Sequence, residues 1–408
     1  MIAPLPTTSF ATIPLKDLPT PAALLDGPRL DRNIARMQAH IDRLGVHFRP
    51  HVKTAKCLPI AQRQIAAGAS GITVSTMKEA EQFFAAGVTD ILYAVGVAPN
   101  KFAAALALRE RGCDLKLLTD SPDIARALDE YGRQHRHWFD LLIEIDSDGH
   151  RAGVKPQDPV LLHIAGLLGG GRPANGGRAA DALSPGGGAR LAGVLTHAGA
   201  SYELDTEAAL VQMAEQERSR CVEAAQRLRA AGHPCAIVSV GSTPTALSAV
   251  SLDGVTEVRA GVYVFFDLVM ANVGVCTLDD IALSVLTSVI GHQPEKGWAI
   301  VDAGWMAMSR DRGTQAQRTD FGYGQACDAE GRPIAGLTLC GANQEHGIVA
   351  FDDTAAGAGD ADITQRLPVG TLLRVLPNHA CATAAQFGEY HVLGASGEIA
   401  VWPRFNGW

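Results

Sequence analysis

The chain has 408 residues, 47% of them hydrophobic, and carries a formal net charge of −8. That apolar content excludes a chain disordered throughout and is enough for a large core, in two domains or in one elaborated barrel. The acidic balance leaves no basic surplus to neutralise phosphates, which excludes nucleic acid or an anionic membrane as the main partner.

Residues 1–20 are rich in Pro and Thr and have no charged segment leading into an apolar run, so no signal peptide is expected. They are expected to pair as an extended strand with a β domain further on. No run of about 18 apolar residues occurs, so no membrane span is expected. The eight Cys are scattered without a CxxC pair and predict reduced thiols in a cytoplasmic protein.

From about residue 46, short apolar runs alternate with amphipathic stretches. The runs fall at 46–54, 71–76, 91–96, 115–120, 139–146, 191–198, 236–241 and 257–264. Several are rich in Val, Ile and Leu without strict alternation, the pattern of strands buried on both faces of a parallel sheet. Between them, 57–69, 77–88 and 205–233 read as helices, several of them ending in Gly. Eight βα-type units in a row predict a TIM-like (β/α)8 barrel over residues 21–270. A Gly-, Pro- and Ala-rich stretch at 168–190 reads as a surface insertion. After about residue 270 the runs at 283–293, 297–304, 334–351 and 371–383 are β-like. Residues 271–408 are therefore expected to form a second, mainly antiparallel β domain.

In such barrels chemistry sits at the carboxyl ends of the strands. Lys53 stands there, in Arg49-Pro50-His51-Val52-Lys53-Thr54. A lysine so placed either snorkels to the surface or serves as a reactive amine. Arg151, in Gly149-His150-Arg151-Ala152-Gly153, either clamps an anionic oxygen or pairs with Asp146 or Asp148. Gly241-Ser242-Thr243-Pro244-Thr245 has the small residues and hydroxyls of a phosphate cradle, and equally the letters of a helix N-cap. Arg259-Ala260-Gly261-Val262-Tyr263 offers a cation and close backbone approach. In Pro377-Asn378-His379-Ala380-Cys381, read as an extended strand, positions i and i+2 share a face. His379 and Cys381 then either chelate one divalent ion, with zinc suited to nitrogen and sulfur, or form a buried Cys beside a hydrogen-bonded His.

Together these residues resemble the D-serine dehydratase-like and D-threonine aldolase family, fold-type III pyridoxal-phosphate (PLP) enzymes that share the alanine racemase barrel. The resemblance runs from Thr20-Pro21-Ala22 to the Cys381 region. Its most specific pieces are the Arg49–Thr54 run, Asp302-Ala303-Gly304 and Pro377-Asn378-His379-x-Cys381. It implies Lys53 as the Schiff-base lysine and general base, Arg151 near the phenolic oxygen of PLP, and His197 beside its ring. Gly241, Ser242 and Thr243, with Gly261 and Val262, are implied as phosphate contacts, and Arg259 as the partner of the pyridine nitrogen. Tyr202 and Tyr263 are further expected cofactor contacts. His379 and Cys381 are implied as ligands of a divalent metal, zinc first, with manganese or magnesium as alternatives.

In this family His-x-Cys resembles the dehydratase branch and His-x-Asp the aldolase branch. The expected reaction is loss of water from D-serine, D-threonine or D-threo-3-hydroxyaspartate, giving a 2-oxo acid and ammonia. Retro-aldol cleavage to glycine and an aldehyde is the alternative, and racemisation a weaker one. The family implies a homodimer.

Overall fold

The computed structural model describes residues 10–11, 14–168, 188–352 and 362–408. The Gly-rich insertion expected at 168–190 lies outside the described residues over 169–187.

The eight apolar runs become eight parallel strands: His47–Phe48, Ile72–Val74, Asp90–Gly96, Asp114–Thr119, Phe139–Ile145, Ala189–Thr196, Ile237–Val240 and Glu257–Val258. The last pairs with the first. The first and second meet through the bridge His51–Thr73, where Val52 N–H donates to the Thr73 carbonyl at 2.9 Å. The absence of strict alternation has a direct cause, since both faces are covered. Every residue of Phe139–Ile145 is buried. Leu92, Leu118, Leu142 and Leu195 fill one layer inside the barrel, while their neighbours in sequence face the surrounding helices.

Capping residues start those helices soon after the strands end. Thr76 accepts from Glu79 N–H, Ser121 from Ile124 N–H and Thr206 from Ala209 N–H. The eighth unit departs from expectation, because only a 3-10 turn at Val262–Val264 and a short helix at Leu268–Val273 follow the last strand. Helix Gly27–Arg43, from the front of the chain, packs on that turn, on the first strand and on helices Leu58–Ala66 and Thr243–Ser248. It fills the place that the eighth helix of a regular barrel would take.

The second sheet has ten strands. Leu283–Gln293, Trp298–Val301, Gly347–Phe351, Pro333–Ala342, Gly324–Cys327 and Leu372–Pro377 follow one another in space, and the last pairs back onto the first, closing a ring. The N-terminal segment joins this sheet at Phe10–Ala11, which pairs with Ile399–Ala400. So does Ala22–Asp26, between Leu283–Gln293 and Glu389–Leu393. Residues 22–26, grouped with the barrel in the sequence reading, are thus a strand of this second, mainly antiparallel sheet, antiparallel to Leu283–Gln293 and parallel to Glu389–Leu393. All eight cysteines are free. Among the described residues, no helix is long and apolar enough to cross a membrane.

Candidate active site

A cavity of about 800 Å³ opens where the carboxyl ends of the barrel strands meet the second domain. Its lining contains Lys53, Arg151, His197, Tyr202, Gly241, Ser242, Thr243, Arg259, Gly261, Val262, His379 and Cys381. Chain segments more than 300 residues apart thus converge on one space: Thr54 Oγ1 lies 3.1 Å from Cys381 Sγ.

Tyr263 is the exception among the expected residues. Its ring is fully buried against Phe48, and its hydroxyl accepts from Gln64 Nε2 at 2.8 Å. The cause is the 3-10 turn at Val262–Val264, which presents Val262 to the cavity and turns the next side chain into the core.

The lysines of the first strand end have different surroundings. Lys56 is ion-paired with buried Glu79 at 2.9 Å. Lys53 faces the cavity and has no carboxylate within ion-pair distance among the described residues. Around it, two histidines are held neutral. Burial pushes the His197 imidazole down to about 3; Lys53, Arg259 and Arg151 add to that, and a 3.0 Å hydrogen bond to the Gly241 carbonyl opposes it. Burial, then Lys53 and Arg259, likewise hold His51 well below its ordinary value. Burial pushes the Tyr202 phenol up, so it stays protonated near neutral pH.

Arg259 is 4% exposed, its guanidinium donating to Ser239 Oγ at 2.8 Å and to the Thr196 carbonyl. Arg151 pairs with Glu144 at 3.2 Å, rather than with Asp146 or Asp148, and keeps 60% of its side chain exposed.

The Gly241–Thr245 segment is both of the things its letters allow. Ser242 caps helix Thr243–Ser248 through a capping box with Thr245. Gly241 has φ +136°, and a Cβ there would collide with the Arg259 carbonyl, so the turn requires glycine. Buried Glu217 gathers this region: its carboxylate accepts from Ala198 N–H, Gly241 N–H and Thr245 Oγ1 at 2.9, 3.0 and 2.6 Å. The backbone N–H groups of Gly261 and Val262 find no protein acceptor among the described residues, and that of Thr243 is turned toward the Tyr202 phenol at the cavity wall. Such donors, with a free amine beside them, fit the phosphate and aldehyde of PLP.

His379 and Cys381 do come together, but not by the expected route. The strand ends at Pro377, His379 is the N-cap of helix Ala380–Ala384, and Cys381 lies in its first turn. The Ala-rich run Ala380-Cys381-Ala382-Thr383-Ala384 favours helix over strand, which is why the i, i+2 argument fails here. His379 Nδ1 lies 2.6 Å from Asp311 Oδ2. Burial opposes charge on either partner, yet hydrogen bonding between them, with Asp311 on the histidine, raises the His379 pKa and lowers that of Cys381. No third His, Cys, Asp or Glu completes a metal cluster among the described residues. The donor set therefore fits a soft divalent ion held by two protein ligands, with open positions.

Sequence reasoning missed Asp311 and Asp267. Asp267 caps helix Leu268–Val273 through Oδ1 and accepts from Ala380 N–H at 2.9 Å through Oδ2. An Asp before an apolar run is a capping signal; nothing in the sequence marks Asp311.

The alanine racemase N-terminal domain family matches residues 25–269, and a putative serine dehydratase domain matches 282–393. D-threo-3-hydroxyaspartate dehydratase from Delftia sp. is 62% identical over 97% of this chain and 99% of its own. Its solved structure superposes with a TM-score of 0.91 at 61% identity over 97% of this chain and 100% of that chain. Variants of that dehydratase have also been solved, one with a histidine and one with a cysteine replaced by alanine, the latter in the metal-free form. The two replaced residues stand two positions apart, the spacing of His379 and Cys381. D-serine dehydratase from Dictyostelium discoideum is 28% identical over 94% of this chain and 96% of its own. D-threonine aldolase from Arthrobacter sp. is 29% identical over 91% and 88%. The chain belongs to the D-serine dehydratase-like and D-threonine aldolase family of PLP-dependent lyases, built on the alanine racemase fold.

Proposed function

We propose that this lyase removes water from D-threo-3-hydroxyaspartate, giving a 2-oxo diacid and ammonia. The observation that carries the reading is the convergence of an unpaired lysine and an imidazole–thiol pair on one cavity. The Delftia relative supports the choice of substrate.

Lys53 Nζ anchors PLP and, once released, takes the proton from the substrate Cα. PLP bound there supplies the electron sink for the charge left at Cα. Gly241, Ser242, Thr243, Gly261 and Val262 hold its phosphate, Arg259 its pyridine nitrogen and Arg151 its phenolic oxygen. His197, neutral and fixed to the Gly241 carbonyl, and Tyr202 flank the ring. His379 and Cys381 hold a divalent metal, zinc by its match to nitrogen and sulfur, which supplies Lewis acidity at the β-hydroxyl. Asp311 orients the imidazole by occupying Nδ1, which leaves Nε2 for the metal. The family also carries a homodimer into this reading, which light scattering on purified protein tests.

Incubation with D-threo-3-hydroxyaspartate, D-serine and D-threonine tests the function. Ammonia and a 2-oxo acid in equal amounts are expected. Glycine and an aldehyde instead would replace this reading with the aldolase one.

A further inference from the structure

The cavity holds one more cation than the chemistry above uses. Among the described residues, four basic side chains other than histidine line it: Lys53, Arg151, Arg259 and Arg318. Arg259 is engaged by Ser239 Oγ and the Thr196 carbonyl, and Arg151 by Glu144. Lys53 is assigned to PLP. Arg318 donates to the Ala271 carbonyl at 3.1 Å, and no carboxylate lies within ion-pair distance of it among the described residues. Its neighbour Arg312, by contrast, is paired with Asp320 at 2.8 Å.

Arg318 is not on a loose loop. Buried Asn272 donates through Nδ2 to Gln317 Oε1 at 3.0 Å and to the Thr319 carbonyl at 2.8 Å, pinning the residues on both sides of it. Gln317 Nε2 in turn lies 3.4 Å from the Tyr202 carbonyl. The backbone that carries the guanidinium is thus fixed to the helix at Leu268–Val273 and to the cavity wall. Glu203 and Asp205 line the same cavity without pairing with Arg318. They would repel a dianion, which makes an unpaired cation there the deciding charge.

We infer that Arg318 is the specificity residue that receives the second carboxylate of a dicarboxylic substrate. It selects 3-hydroxyaspartate over D-serine and D-threonine, which lack that group. A guanidinium is suited to the task because its donor fork matches a carboxylate. The inference rests on the proposed function and deepens it.

The test compares wild type with R318Q and R318K. In R318Q the ratio of kcat/KM for D-threo-3-hydroxyaspartate to that for D-serine should fall by about 30-fold, as expected for losing a hydrogen-bonded charge pair. The loss should lie mainly in KM, and R318K should recover part of the ratio. In a second arm, succinate, a dicarboxylate without an amino group, should raise the Tm of wild-type holoenzyme and fail to do so in R318Q. An unchanged ratio, or equal losses on both substrates, overturns the assignment. If wild type makes no 2-oxo acid from either substrate, the proposed function falls. The succinate arm then decides Arg318 alone: equal stabilisation of both proteins overturns it.

Discussion

The two ends of the barrel use the same residue types to opposite ends. At the floor, where strands begin, the charged side chains of the strands pair with one another and with their neighbours. Arg49 bridges Asp90 at 2.8 Å and Glu257 at 2.9 Å; Lys116 joins Asp90 and Asp114, each at 2.9 Å. Asp140 is held by Arg109 at 3.0 Å and by Arg190. At the mouth, Lys53 and Arg318 have no carboxylate partner among the described residues, and His51 and His197 are neutral. Location at floor or mouth, rather than residue type, separates the charges that hold the fold from the two left available to a ligand.

Mutations at the two ends should therefore fail in different ways. The largest effect is expected from Lys53→Ala. Turnover should fall by about a thousandfold or more, and the absorbance of bound PLP at about 410–420 nm should disappear, while Tm of the apoprotein stays put. Normal activity in this variant would remove Lys53 from the mouth's chemistry.

His379→Ala, or stripping metal with EDTA, should lower turnover by about a hundredfold, the effect of several kcal/mol of lost Lewis acidity. PLP should remain bound, and added metal should restore the EDTA-treated enzyme. Full activity in protein shown metal-free by elemental analysis would contradict the metal assignment.

Asp140→Asn probes the floor. Leaving Arg109 buried without its carboxylate should cost about 3 kcal/mol of stability, with kcat/KM changed by less than about twofold. The loss should depend on pH in a definite sense. Burial alone would raise the Asp140 pKa, but Arg190 and Arg109 hold it below the usual carboxylate value in the folded chain. The stabilisation is thus fully present above about pH 4 and is lost as pH falls through the lowered value. The Tm gap between wild type and variant should stay level from neutral pH to about 4 and narrow below it. A gap that widens on acidification would refute the ion-pair account.

The smallest effect is expected from Tyr263→Phe. Losing its hydrogen bond with Gln64 should cost about 1 kcal/mol and leave PLP affinity unchanged. A weaker PLP affinity would return Tyr263 to the cofactor site.

The barrel strands were legible because burial on both faces writes continuous Val, Ile and Leu runs between Gly-ended helices. The helix at Gly27–Arg43 was not, because it closes the barrel beside a strand more than 200 residues away, and order along the chain carries no trace of that. Ala22–Asp26 is five residues long and runs straight into that helix, so it offered no pattern of its own. Most of the cavity lining was readable because the barrel residues among it sit in the first few positions after strand ends, where the barrel rule locates them. Tyr263 failed for a local reason, the 3-10 turn. His379 and Cys381 converged for a different reason from the one the spacing gave. Asp311 and Arg318 come from loops that reach the cavity only through packing of the second domain.

Asp267 places one carboxylate oxygen on the barrel's last helix and the other on the amide between His379 and Cys381. The lysine end and the imidazole–thiol end of the cavity are thereby stitched through a single side chain, with Thr54 against Cys381 as a second stitch. The position of the imidazole–thiol pair over the barrel mouth therefore depends on side-chain contacts that cross the boundary between the two domains.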